Sequence, residues 1–193
     1  MRVASLTLLL VLLFAQDARA QLGAGVEVRG GVAIPVGSFE NGIVADAGLA
    51  PGASFSVHLA VPRGTRGALL FGFAQHRFRC TGDGCSGAGD VVSTGWSLGT
   101  RLALRPGLRP PWMRLAMVFD RSEWTFPEGD ALERRASYLG LGGEAGIGLT
   151  MQLRPRLTLL PGVRYALVNT HFPRGEPLLM HYLLADLGVL FAF

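Results

Sequence analysis

A serine becomes a nucleophile when a nearby histidine takes its proton and an acid orients that histidine, the arrangement that acyl hydrolysis requires. Ser56 and His58 are the one close Ser–His pair in the chain, and Glu27 or Arg29 becomes their neighbour if the two segments pair as strands. His171 and His181 flank a loop without a paired serine, His76 falls in a segment of ambiguous faces, and a satisfied interior or loop position suits all four histidines better. Cys80 and Cys85 bracket Thr-Gly-Asp-Gly, which in an exported chain suggests a disulfide pinning a loop tip. With no histidine or further cysteine beside them, a zinc site is not indicated, and no metal or cofactor is expected. The most numerous chemically capable set consists of Glu27, Arg29, Arg101, Arg114, Asp120, Glu144, Arg164 and Asp186. Each is usually flanked by Gly, Ala, Ser or Thr, so four acids and four arginines have room to meet and neutralise one another. Left buried without partners, each would cost several kcal/mol, of the order known for isolated ions in a protein interior.

The elements that carry these residues read as strands with a period of two. In 25–36 the even positions Val26, Val28, Val32, Ile34 and Val36 oppose Glu27, Arg29 and small residues. In 53–61 Phe55, Val57 and Leu59 oppose Ser54, Ser56 and His58. Segments 91–104, 112–124, 139–153, 157–170 and 181–193 repeat the division, with Arg101, Arg114, Asp120, Glu144, Arg164 and Asp186 on the polar faces. Segment 68–79 is the exception, apolar on both faces around Leu69 to Phe73. The pattern predicts eight strands. Tight connections at 62–67, 105–111 and 154–156 alternate with longer ones near 37–52, 80–90, 125–137 and 171–180. Short turns at one end and long loops at the other predict an all-β, eight-stranded antiparallel up-and-down barrel.

Such a barrel has two possible polarities. A soluble, lipocalin-like barrel turns its aliphatic face inward; a transmembrane barrel turns it outward and keeps a polar, glycine-rich interior. The N-terminus favours the second. Arg2, the apolar run Leu6 to Ala15 and Ala18-Arg19-Ala20 have the layout of a cleaved signal peptide over 1–20, leaving 21–193 as the barrel domain. Gln21 follows the cut, so no cysteine is placed there for a lipid anchor. The chain has no lysine, and its 18 basic residues are all arginine. Without the leader the excess is only +3 and evenly spread, which argues against nucleic acid as a partner.

The closing stretch DLGVLFAF resembles the C-terminal assembly signal of Gram-negative outer-membrane β-barrels. Asp186, Gly188, Phe191 and Phe193 match its polar, glycine and two aromatic positions, and GGVAIPVGSFENG (30–42) resembles a common first strand and loop. The whole mature chain is thus similar to the small eight-stranded outer-membrane proteins, such as the barrel of outer membrane protein A, without a peptidoglycan-binding domain after it. The resemblance implies a bacterial outer-membrane location with both mature termini periplasmic, and transient recognition by the barrel-assembly machinery. It implies outer-membrane lipids and lipopolysaccharide as surroundings, but a fold with many uses transfers no function. Arg63, Arg66, Arg105, Arg109, Arg154 and Arg156 in the turns suit phospholipid head groups or simple solvation equally. Loop acids such as Glu40, Asp83, Asp130 and Glu176 offer oxygen ligands to divalent cations, though solvated loops have the same composition.

Three functions follow from this frame. The first is a structural or surface-interaction barrel, non-enzymatic, plugged by arginine–carboxylate pairs and presenting its loops to an extracellular ligand. The second is a lipid A acyl hydrolase or transferase, as some relatives of this shape are. Their His-x-Ser order is absent here, and Ser56 and His58 fall on the inward face. The third is a narrow channel, which a barrel of eight strands has little space to hold.

Overall fold

The computed structural model describes residues 24–36, 48–81, 90–105, 109–128, 131–171 and 177–193. The leader 1–20 lies outside them. So does Cys85; its proposed partner Cys80 lies near the end of a strand.

Eleven strand segments form one sheet: β1 (Gly25–Pro35), β2 (Gly48–Ala50), β3 (Gly52–Arg63), β4 (Gly67–Thr81), β5 (Asp90–Ala103), β6 (Pro111–Glu128), β7 (Ala131–Ala136), β8 (Gly140–Leu149), β9 (Met151–Arg154), β10 (Leu157–His171) and β11 (Pro177–Ala192). They make eight staves, because β2 continues into β3, and β7 runs through β8 into β9 along the same neighbours. Every neighbouring pair is antiparallel, and β1 pairs with β11 over eleven residues, closing the barrel. The Phe193 N–H donates to the Ala24 carbonyl at 2.9 Å, extending that seam to the last residue. A closed sheet leaves no unpaired edge, a condition for backbone to sit in lipid.

The alternation in sequence becomes an alternation of inside and outside. Val28, Phe55, Leu98, Met117, Ile147, Val163 and Leu187 are exposed on the outer surface, while Glu27, Ser56, Arg114 and Arg164 are buried within. This is the transmembrane polarity. Segment 68–79 resolves in the same way, with Leu69 and Phe71 outside and Leu70, His76 and Phe78 inside. Its inner face is apolar because the barrel is capped by apolar side chains. Ala33, Phe78, Val91, Trp124, Ala166, Met180, Tyr182 and Leu184 pack together toward the loop end.

Small inward residues create the space. A Cβ at Gly148 or Gly162 would run into the indole of Trp112, which fills the turn end of the lumen. The loop end differs from expectation in one respect. Residues 125–137, expected as a loop, are mostly a hairpin in which β6 and β7 pair from Glu123↔Ala136 to Glu128↔Ala131. The run Trp124-Thr125-Phe126 has strand-forming residues, but Pro127 and the charges after it hide the alternation.

Candidate functional site

The interior charges come from six staves, each placing one or two side chains on its inward parity. β1 contributes Glu27 and Arg29, β5 Arg101, β6 Arg114, β8 Glu144, β10 Arg164 and β11 Asp186. Arg29 Nε lies 2.5 Å from Glu27, and its Nη1 lies 2.5 Å from Asp186. Asp186 also accepts from Arg164 Nε at 2.7 Å, and Arg164 Nη1 donates to Glu144 at 2.8 Å. Glu144 meets Arg114 Nε at 2.7 Å, and Arg114 Nη1 returns to within 3.9 Å of Glu27. The result is a closed ring of alternating sign, three arginines and three carboxylates, spanning the lumen. Arg101 hangs from this ring by its ion pair to Glu27.

The ring depends on the small residues around it. A Cβ at Gly188 would come within 3.1 Å of the Arg29 side chain, so the glycine two places after Asp186 keeps that arginine's position open. Arg29 also stacks 4.9 Å above the Trp112 ring, a cation–π contact between two buried groups. Burial costs each charge its hydration, and the alternating ion pairs around the ring offset that loss.

Asp120 does not join the ring. It is buried beside Ser93, whose hydroxyl lies 2.8 Å from both carboxylate oxygens, and it pairs with none of the four arginines. Six residues separate it from Arg114 on β6, about 20 Å at the usual strand rise of roughly 3.3 Å. Membership of the inward face was legible in the sequence; height along the barrel was not.

Ser56 and His58 are both buried inside the barrel. Arg114 Nη2 lies 2.8 Å from His58 Nε2, and since a guanidinium only donates, that nitrogen accepts. The lone pair a general base would use is therefore already engaged. Ser56 Oγ has no hydrogen-bond partner among the described residues. Ser54 is the serine that meets a histidine, with Oγ 2.9 Å from His76 Nδ1. Among the described residues no group of three or more His, Cys, Asp or Glu could hold a metal ion.

Along the final strand, Asp186 and Gly188 face inward, while Phe191 and Phe193 stand exposed on the outer surface with ring centroids 5.8 Å apart. Among the interior residues not singled out from sequence are Trp112, Trp124 and Met180. The two tryptophans share even parity with Arg114 and Asp120 on β6, which is the sign by which they could have been placed inside.

No protein-family model matches this sequence, and no curated protein sequence matches it. Solved structures do match. Neisserial surface protein A is similar with a TM-score of 0.59 at 16% identity, over 89% of this chain and 97% of that one. The outer membrane protein OprG from Pseudomonas aeruginosa gives 0.56 at 11% identity, over 89% and 98%. Outer membrane protein AlkL, solved in DMPC lipid bilayers, gives 0.53 at 16% identity, over 89% and 90%. Together with the closed eight-stave sheet and its outward apolar face, these likenesses define the fold as that of the small outer-membrane β-barrels. At such identities they speak to the fold alone.

Proposed function

We propose that this chain is a bacterial outer-membrane barrel with a sealed interior, serving a structural or surface-interaction role through its long loops. The observation that carries this reading is the filled lumen. The charged ring spans it, Trp112 lies below, and the cluster of Phe78, Val91, Trp124 and Met180 lies above. A barrel built this way devotes its interior to stability and leaves recognition to its rim. With the termini and tight turns in the periplasm, the four loops face the exterior. The Asp186, Gly188, Phe191 and Phe193 pattern then serves as the recognition element for the barrel-assembly machinery.

Planar-bilayer recording on purified protein tests the reading, with folding first verified by a heat-dependent shift on detergent gels. Closed bilayers with no steady current are expected. A reproducible steady conductance would overturn the sealed interior in favour of a channel. Release or transfer of acyl chains from lipid A, abolished by Ser56→Ala, would overturn the non-enzymatic role.

A further inference from the structure

The end of the barrel that carries the tight turns has a built rim. Between β3 and β4, Gly64 adopts φ of +63°, a left-handed conformation that glycine takes without steric cost. The turn it makes leans on the neighbouring stave, since the Ala103 N–H donates to the Arg66 carbonyl at 2.8 Å. Beneath the turn lies a cleft of about 350 Å³. Arg63, Thr65 and Arg66 line its rim, and Leu69, Thr100 and Leu102 form its floor. Neither arginine has an ion-pair partner among the described residues, and both are exposed. The three turn sequences 62–67, 105–111 and 154–156 together contain no acid.

The floor continues up the outside of the barrel. Leu69 pairs in register with Thr100, Phe71 with Leu98, and Phe73 with Trp96, all on the outward face. Phe71 stacks on Trp96 with centroids 5.5 Å apart, and Phe73 meets the same indole edge-on at 5.4 Å. A two-arginine rim therefore opens onto a largely apolar outer surface of Leu69, Phe71, Phe73, Trp96, Leu98 and Leu102.

We infer that this cleft is a binding site for an anionic phospholipid of the adjoining leaflet, its phosphodiester held by Arg63 and Arg66 and one acyl chain lying along Leu69, Leu102 and Phe71. Guanidinium groups match phosphate oxygens in charge and in planar geometry, and Thr65 adds a hydroxyl group in the same turn. A zwitterionic lipid satisfies the site less well. Its ammonium group is repelled by the same two arginines and by the unbroken positive charge of the other turns. This inference rests on the outer surface being in lipid, as the proposed function requires, but it is independent of the loops and of the state of the lumen.

Trp96 supplies the readout, because it faces outward on this apolar surface while Trp112 and Trp124 are buried inside. The folded protein is placed in phosphatidylcholine vesicles containing a small fraction of lipid brominated on its acyl chains. Brominated phosphatidylglycerol should quench Trp96 as though enriched about tenfold or more over brominated phosphatidylcholine, within the range of roughly 1 kcal/mol for each of two interfacial arginines. R63Q/R66Q should bring the ratio to about one, R154Q/R156Q should leave it, and W96F should remove the quenched component. Equal quenching by the two lipids in the unaltered protein would overturn the site. Equal loss in R154Q/R156Q would also overturn it, showing a diffuse charge belt. Displacement by lipopolysaccharide at lower phosphate concentration than by phosphatidylglycerol would overturn the choice of lipid. Should R63Q/R66Q not give the folded gel band, the unaltered protein at raised salt decides. A preference that survives screening is not carried by exposed arginines. Loss of the folded band in the unaltered protein would instead count against the barrel reading itself.

Discussion

The two halves of the lumen are filled by different chemistry. Toward the turns, three arginines and three carboxylates close on one another, with Arg101 attached to Glu27. Toward the loops, hydroxyls and rings take over: Ser54 with His76, Ser93 with Asp120, and Tyr182 against His76 and Phe78. The first region is a circuit in which each of the six ring charges has at least two partners, so none of them can leave without stranding others. The second is a set of local pairs ending in an apolar cap. Density of charge is thus matched by density of pairing, and the difference predicts how each half fails.

The largest loss is expected from Arg164→Ala. Arg164 alone bridges Glu144 and Asp186, so its removal opens the ring and leaves two buried carboxylates each short of a partner. Breaking a buried pair in this way costs about 3–5 kcal/mol. Urea unfolding in lipid vesicles, followed by tryptophan emission, should show the loss as a lowered midpoint. A midpoint within error of the unaltered protein would mean that the ring is not a structural circuit.

Next in size is Gly162→Val, which tests the space around the ring. A side chain there meets both the Trp112 ring and the Ile147 carbonyl. Displacing Trp112 would remove the surface on which Arg29 stacks, and overpacking of this kind costs about 1–3 kcal/mol. The same unfolding measurement applies, together with near-ultraviolet circular dichroism to report the tryptophan environment. An unchanged aromatic signal would show that the lumen can absorb the valine, and the turn-end packing would then be looser than the ring demands.

Arg101→Ala should cost less than either. Its side chain is 11% exposed, the least buried of the four arginines, and Glu27 keeps Arg29 and Arg114. A loss of about 1–2 kcal/mol is the expectation for one hydrogen bond to a charged group at a partly wetted site. A loss as large as that of Arg164→Ala would make Arg101 a member of the ring and not a pendant on it.

The division between the halves also governs how much of the molecule is legible in its sequence. Seven of eight staves show their faces because a polar interior opposed to an aliphatic exterior yields a clean alternation. The stave 68–79 hides its faces because Leu70 and Phe78 belong to the apolar fillings at the two ends, where inside and outside are chemically alike. The ring residues are legible as a set because long charged side chains on a glycine-rich face have room to turn inward and opposite charges to meet there. Their connectivity is not, since stave register and tilt decide which charges share a level. Asp120 marks the limit: it has the right parity and the right charge for the ring, and lies too far along β6 to reach it. The rim cleft is equally out of reach, because Arg63 and Thr100 lie far apart in sequence and meet only once Gly67 pairs with Leu102.

The smallest effect is expected at Asp120 itself. In the ring, neutralising a carboxylate would strand arginines; at Asp120 there is no arginine to strand. Asp120→Asn keeps an oxygen near Ser93 and removes a charge that burial disfavours, so the two changes oppose each other. The unfolding midpoint should move by less than about 1 kcal/mol equivalent, in either direction, the range typical of a single neutral hydrogen bond. Glu144→Gln offers the matched contrast, because the same loss of one charge there weakens contacts to both Arg114 and Arg164. If the two amides cost the same, the ring and the upper pair are energetically alike and the difference in their wiring has no consequence for stability. If Glu144→Gln costs several-fold more, it is the closed pairing, and not burial alone, that makes the charges of the lower half indispensable.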